Sequence, residues 1–195
     1  MSFPQSMIGA LSLVSLFIPS AFGAPSGGEI SLMQGEMLEI ASANCERLSR
    51  LINDILDIER MESGKLDLKI EAADMMALVR EALHENAPYA DLHGVEFQLD
   101  AEVSKAMVQT DPDRFLQILG NLLSNAAKFS PANGRVTVGV TRMKGGWCLA
   151  VSDRGPGIPQ AFRDSLFDKF TQAESSNIRT KGGSGLGLSI VKSLV

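Results

Sequence analysis

Asn121, Asn125 and Lys128 recur at i, i+4 and i+7 within Asn121-Leu122-Leu123-Ser124-Asn125-Ala126-Ala127-Lys128, a spacing that puts all three on one face of a helix. Amide oxygens are hard ligands of the kind Mg²⁺ accepts, and a lysine beside them can meet phosphate oxygens. The same stripe is also what the wet side of a plain amphipathic helix looks like. Further along, Asp153-Arg154-Gly155-Pro156-Gly157-Ile158 follows a run of strand character. Its glycines let backbone approach a flat ligand closely, and its carboxylate can accept from an exocyclic amine. Asp, Gly and Pro together also make an ordinary turn. Phe167-Asp168-Lys169-Phe170 brackets a charged pair with aromatics ahead of the polar stretch from Thr171 to Lys181, the pattern of a small apolar anchor under a loop. Finally, Gly182-Gly183-Ser184-Gly185-Leu186-Gly187-Leu188 opens a helix, where unpaired N–H groups and the helix dipole favour phosphate. It follows no strand and lacks a Lys-Ser/Thr ending, so it is neither a dinucleotide fingerprint nor a P-loop.

These segments need elements to hold them. The asparagine stripe lies on a helix expected to start at Asp111-Pro112, since Asp caps and Pro suits the first helical position, and to stop before Pro131. Two strands follow, Arg135 to Arg142 and Trp147 to Asp153, joined through Lys144-Gly145-Gly146 as a hairpin. Upstream, Leu66, Leu68 and Ile70 alternate with Asp67 and Lys69, which predicts a strand. Asp74 caps a helix whose apolar residues are Met75, Leu78, Val79 and Leu83. Val95 to Leu99 reads as a second strand and Ala106 to Gln109 as a third, weaker one, while a last helix starts from Leu186.

From Gly35 to Gly64 the texture is different. Ala41, Leu48 and Ile55 repeat every seventh residue, Leu51 and Ile58 fill the intervening position, and Cys45 and Ile52 widen the stripe. That is the apolar seam of a bundle or coiled-coil helix. The fold class expected is therefore α+β, with a helical module over residues 1–65 and an α/β sandwich over residues 66–195.

Composition excludes several classes. Hydrophobic residues are 45% and charged residues 21% of 195, as in a folded globular protein. A net charge of −5 lacks the basic face of a nucleic-acid binder, so no nucleic acid is expected as partner. The two cysteines, Cys45 and Cys148, lie far apart without metal-type spacing and read as thiols in a reducing compartment. An apolar run from Met7 to Ala24 ends in small residues, but no Lys or Arg precedes Arg47, so the basic start of a secretory signal is missing. Pro19 interrupts the run, which is short for a membrane span. A buried helical segment is expected there, with a signal or anchor as the alternative.

In that order, the four patterns resemble the asparagine box, first glycine box, phenylalanine box and second glycine box of sensor histidine kinases, the sensors of two-component systems. Phe170-Thr171-Gln172-Ala173-Glu174-Ser175-Ser176 and Lys181-Gly182-Gly183-Ser184-Gly185-Leu186-Gly187-Leu188-Ser189-Ile190 are especially similar. Glu46-Arg47-Leu48 through Leu51-Ile52-Asn53-Asp54-Ile55-Leu56-Asp57 resembles the second helix of the family's dimerisation domain. The resemblance implies ATP and Mg²⁺ as ligands and roles residue by residue. Asn125 would coordinate Mg²⁺, Asn121 would support metal and phosphates, and Lys128 would face the phosphates. Asp153 would accept from the adenine amine, and Gly155 and Gly157 would give base and sugar room. Phe167 and Phe170 would anchor a lid carrying Arg179 and Lys181, and Gly183, Gly185, Leu186 and Gly187 would line the phosphates.

The match departs from the family pattern in two places. The family's acceptor histidine sits on the first dimerisation helix, whereas the only histidines here are His84 and His93, both downstream of the helical module. The segment Ile8-Gly9-Ala10-Leu11-Ser12-Leu13-Val14 is similar to the stretch just past that acceptor. The family also continues beyond the helix that ends here at Val195. The expectation is a truncated or degenerate cytoplasmic kinase, its parent attached to a membrane or not, that transfers the γ-phosphoryl group of ATP to a histidine in trans at most. Its partners would be a second copy or an intact kinase through the helical module, and a response regulator in an intact relative. A non-catalytic ATP-binding or dimer-titrating module is the alternative. A superfamily ATPase ranks lower, because those enzymes carry a glutamate base where Asn121 stands.

Overall fold

The computed structural model describes residues 32–172 and 184–195. The chain divides into two compact units, residues 1–47 and 48–195. Helix α1 (Leu32–Glu62) starts in the first and ends in the second; Cys45 is exposed on it. Everything that follows concerns the second unit. The apolar seam is exposed at Leu48, Ile52 and Ile55, with Leu56 exposed beside it, and becomes buried at Ile58. Gly64 ends the helix with φ +64, and the Lys65 N–H closes back on the Arg60 carbonyl at 2.9 Å, satisfying an end carbonyl as a left-handed C-terminal glycine allows.

The elements then run β1 (Glu71–Asp74), α2 (Met75–Glu85), α3 (Ala87–His93), β2 (Glu96–Ala101), β3 (Met107–Thr110), α4 (Pro112–Phe129), β4 (Arg135–Met143), β5 (Gly146–Ser152), a 3₁₀ turn (Gln160–Phe162) and α5 (Gly187–Leu194). Strands β2, β4 and β5 form one sheet in that order and β1 pairs with β3 in another. Strand β2 runs parallel to β4, with Phe97 opposite Val136 and Leu99 opposite Val138. The β4–β5 hairpin is antiparallel and sets Val138 opposite Val151 and Val140 opposite Leu149. Its turn uses Gly145 at φ +97.

Alternation explains the layers. Glu96, Gln98 and Asp100 face solvent while Phe97, Leu99 and Ala101 turn inward, so the sheet is polar on one face and packed on the other. On the packed face lie α2 and α4. Met76, Val79 and Ala82 from the one, and Leu119, Leu123 and Ala126 from the other, close over Val136, Val138 and Val140. This is the expected helix-on-sheet sandwich. Both helices are capped as expected: Asp74 Oδ1 accepts from the Met76 N–H at 3.1 Å, and Asp111 Oδ1 from the Arg114 N–H at 3.1 Å. Among the described residues no helix is long and apolar enough to cross a membrane.

Two elements differ from expectation. The strand expected at Leu66–Ile70 lies instead at Glu71–Asp74, where Glu71 faces Thr110 and Asp74 faces Met107. In place of a strand partner, the Lys69 N–H finds the Asp111 carboxylate at 2.9 Å. The second is α3, a seven-residue helix over a stretch for which no element was expected.

Candidate functional site

Helix α4 carries the asparagine stripe, and its two ends are built differently. At the N-terminal end Asp111 is buried. Burial pushes its carboxyl up, but backbone hydrogen bonds from Lys69, Arg114 and Asp113 and the Arg114 charge outweigh it and hold it below its ordinary 3.8. One turn on, Arg114 Nη1 reaches Asp57 Oδ2 at 2.8 Å and Gln117 Oε1 at 2.7 Å, while Gln117 Nε2 donates to the same Asp57 oxygen at 2.8 Å. Asp57 ties the last turns of α1 to α4. Ile58 and Met61 extend that contact to Leu186, Ile190 and Leu194, and Glu62 forms an ion pair with Lys169.

At the C-terminal end Asn121 lies against the second glycine segment. A Cβ on Gly187 would sit 2.9 Å from Asn121 Oδ1, so a larger residue at the start of α5 would push that amide aside. Asn125 is half-buried and its side chain makes no hydrogen bond among the described residues. Lys128 Nζ lies 4.7 Å from the centroid of the Phe129 ring. At the end of α4 a Cβ on Gly155 would come within 2.8 Å of the Phe129 carbonyl oxygen. Gly155 therefore serves the close approach of the first glycine loop to α4. Its N–H donates to Asp153 Oδ1 at 2.7 Å, which orients an exposed carboxylate and leaves its second oxygen uncommitted by that bond. Gly157 takes φ +74, open to glycine at little cost.

Phe170 and Gly185 complete the set. The Phe170 N–H donates to the Gly185 carbonyl at 3.0 Å, Phe170 sits at φ 59 and Gly185 at φ +72, and a Cβ on Gly185 would lie 2.8 Å from the Phe170 carbonyl carbon. The rings of Phe167 and Phe170 are exposed rather than packed, with Lys192 Nζ 5.8 Å from the Phe167 centroid. Leu186 is fully buried: it fixes the glycine segment from below. Arg179, Lys181 and Gly183 lie outside the described residues. Of the sequence-predicted site residues, then, Asn121 and Gly187 meet, Phe170 and Gly185 meet, and Asp153 and Gly155 meet where α4 ends. Asp57, Arg114, Gln117 and Ser130 were not singled out from sequence; Asp57 lies more than fifty residues from both Arg114 and Gln117, beyond any local pattern.

Neither of two shallow cavities elsewhere is lined by these residues. One of about 470 Å³ lies among Leu83, His84, Asp91 and Phe97, and one of about 400 Å³ adjoins Gly94 and Asn133. No cluster of three His, Cys, Asp or Glu that could hold a metal occurs among the described residues. The amide oxygen of Asn125 is a hard donor of the kind Mg²⁺ takes beside water and substrate phosphates.

Residues 110–195 match the family described as histidine kinase-, DNA gyrase B-, and HSP90-like ATPase. The circadian input-output histidine kinase CikA of Synechococcus elongatus is 37% identical over 170 residues, which are 86% of this chain and 22% of that protein. The hybrid signal transduction histidine kinase D of Dictyostelium discoideum is 35% identical over 167 residues, 81% of this chain and 10% of that protein. Among solved structures, full-length ShkA in complex with AMPPNP aligns at a TM-score of 0.71 and 28% identity, covering 86% of this chain and 34% of that one. The mycobacterial sensor histidine kinase MprB aligns at 0.54 and 32%, covering 64% and 77%. The chain belongs to the sensor histidine kinases and carries their ATP-binding catalytic domain. It spans less than a quarter of the length of those two curated relatives.

Proposed function

We propose that this chain binds Mg²⁺-ATP between α4, the Asp153 loop and the start of α5, and that it positions the γ-phosphoryl group for transfer to a histidine. The observation that carries this reading is the meeting of two glycine segments far apart in sequence with the second half of α4, Gly187 on Asn121 and Gly155 on Phe129, while Gly185 closes on Phe170 just before α5. Glycines at both places, one of them against helix backbone, let the loops come close to the polar end of α4, as a phosphate and base cradle requires. Asp153 accepts from the adenine amine. Asn125 offers its amide oxygen to Mg²⁺, with Asn121 and Lys128 toward the phosphates. The metal would neutralise charge on the phosphates, while these residues orient the nucleotide. Gly157 gives the sugar room, and Phe167, Phe170, Arg179, Lys181 and Gly183 belong to the lid and its anchor.

Residues 1–65 are the dimerisation and phosphoacceptor module and residues 66–195 the ATP-binding domain in this proposal. The exposed Leu48, Ile52, Ile55 and Leu56 give α1 an apolar face that a second helix would cover, from another copy or a partner kinase. In this reading the acceptor histidine is supplied by that partner, because His84 on α2 and His93 at the end of α3 both lie downstream of the helical module. A response regulator takes the phosphoryl group next, and the reaction runs in the cytoplasm, where ATP is held.

Calorimetric titration with ATP, and mixing with an intact kinase in the presence of labelled ATP, test this. Measurable binding and label on the partner's histidine are expected. Asp153→Asn should cost about 1.5–3 kcal/mol of ATP binding, because a charged acceptor is lost, and should narrow the preference for ATP over GTP. No binding by the wild type, or equal affinity in the variant, counts against the site.

A further inference from the structure

Ser130 stands where α4 ends. Its N–H closes on the Ala126 carbonyl at 3.0 Å with φ −63 and ψ 150, so it is the residue at which the helix turns out. It is 4% exposed, and its Oγ is the one buried side-chain polar atom among the described residues without a hydrogen-bond partner. A buried hydroxyl left unpaired is costly, and such groups are nearly always paired in native states. A serine at a helix end normally answers this by bonding to local backbone; this one does not.

The surroundings say what partner suits it. The peptide immediately before Ser130 is the one Gly155 approaches, to 2.8 Å from the Phe129 carbonyl oxygen, and Gly155 in turn is tied to Asp153 Oδ1 at 2.7 Å. Ser130 is therefore one residue from the seam at which the helix meets the carboxylate loop. An orphan hydroxyl there can give or take a proton, which suits the edge of a purine, whose ring nitrogens accept and whose amine donates.

Resting on the function proposed above, we infer that Ser130 is a base-recognition residue of the nucleotide site: its hydroxyl hydrogen-bonds the adenine edge beside Asp153, directly or through one water. The hydroxyl is unpaired without nucleotide and paired with it. That asymmetry separates the inference from a purely structural serine, which would be bonded in both states.

The test compares wild type, Ser130→Ala and Ser130→Thr as full chains, by calorimetric titration with ATP and with inorganic tripolyphosphate and by thermal melting without ligand. Losing one hydrogen bond should weaken ATP binding about three- to tenfold in Ser130→Ala, leave tripolyphosphate binding unchanged, and leave the unliganded melting temperature equal or higher. Ser130→Thr keeps the hydroxyl and should bind ATP as wild type does. Wild-type ATP affinity in Ser130→Ala overturns the inference and spares the proposed function. So does a lowered unliganded melting temperature with equal losses for both ligands, which marks a structural hydroxyl. A wild type that binds no ATP defeats the proposed function itself, and this inference with it.

Discussion

The two halves of α4 carry similar polar residues and use them in opposite ways. At the start, Asp111, Arg114 and Gln117 are spent on protein partners: Lys69, the helix's own N–H groups and Asp57. At the end, Asn121 faces a glycine, Asn125 makes no hydrogen bond among the described residues, and Ser130 is buried unpaired. Folding stability and ligand binding compete for the same donors and acceptors, because an amide bonded within the protein must give up that bond before it can serve a ligand. A helix that closes its polar groups at one end and leaves them at the other separates the two tasks along its length. Substitutions at the first end should then move stability without affinity, and substitutions at the second end the reverse.

The largest effect expected is at the closed end. Asp111→Ala removes a helix cap and leaves the Lys69 N–H without its acceptor. Loss of a cap costs about 1–2 kcal/mol and the further hydrogen bond about 1 kcal/mol, so a total of about 2–3 kcal/mol is expected. Chemical denaturation at neutral pH measures it. ATP affinity of the folded fraction should match wild type; a large affinity loss would erase the division between the two ends.

Asn125→Ala probes the other end. Affinity for Mg²⁺-ATP should fall about tenfold, equivalent to about 1.4 kcal/mol, while metal-free nucleotide binding changes little. Stability should stay within about 0.5 kcal/mol, since no hydrogen bond among the described residues is lost and alanine favours helix. A variant that melts earlier yet keeps its Mg²⁺-dependence makes Asn125 structural.

What could be read ahead of the structure follows the same division between local and distant. The caps at Asp74 and Asp111, the β4–β5 hairpin and the helix–sheet sandwich rest on spacing within one segment, and they formed where expected. Residues 182–188 were legible as a helix start suited to phosphate and residues 153–158 as a loop able to approach a flat ligand; that Gly155 lies against Phe129 and Gly187 against Asn121 was not. The strand expected at Leu66–Ile70 misplaced its pairing by several residues, because alternation marks a pleat and says nothing of a partner. Leu68 and Ile70 are exposed, and β3 pairs only from Glu71 onward. Helix α3 is too short for a period to show. The seam of α1 was legible as apolar, and Asp57 as charged. Which of these residues would meet α4 depended on a contact between positions 57 and 114.

The smallest expected effect bears on how the closed end is held. Asp111→Asn keeps an oxygen acceptor for one N–H but removes the charge that strengthens every bond to it, so a cost of about 1 kcal/mol at neutral pH is expected. The sign of its pH dependence follows from the lowered pKa. A carboxyl that titrates below 3.8 when folded and near that value when unfolded contributes its full stabilisation above the unfolded value. It loses that contribution as pH falls through the folded one. Wild type and variant should therefore differ by a constant amount from pH 7 down to about pH 5, then converge below about pH 4 as the wild-type carboxyl takes up its proton. Other acidic groups titrate alike in both chains and cancel in the difference. Urea denaturation of both proteins from pH 7 to pH 3 measures the gap. A gap that stays constant to pH 3 would mean that the Asp111 charge does not hold the start of α4, and that shape alone closes that end of the helix.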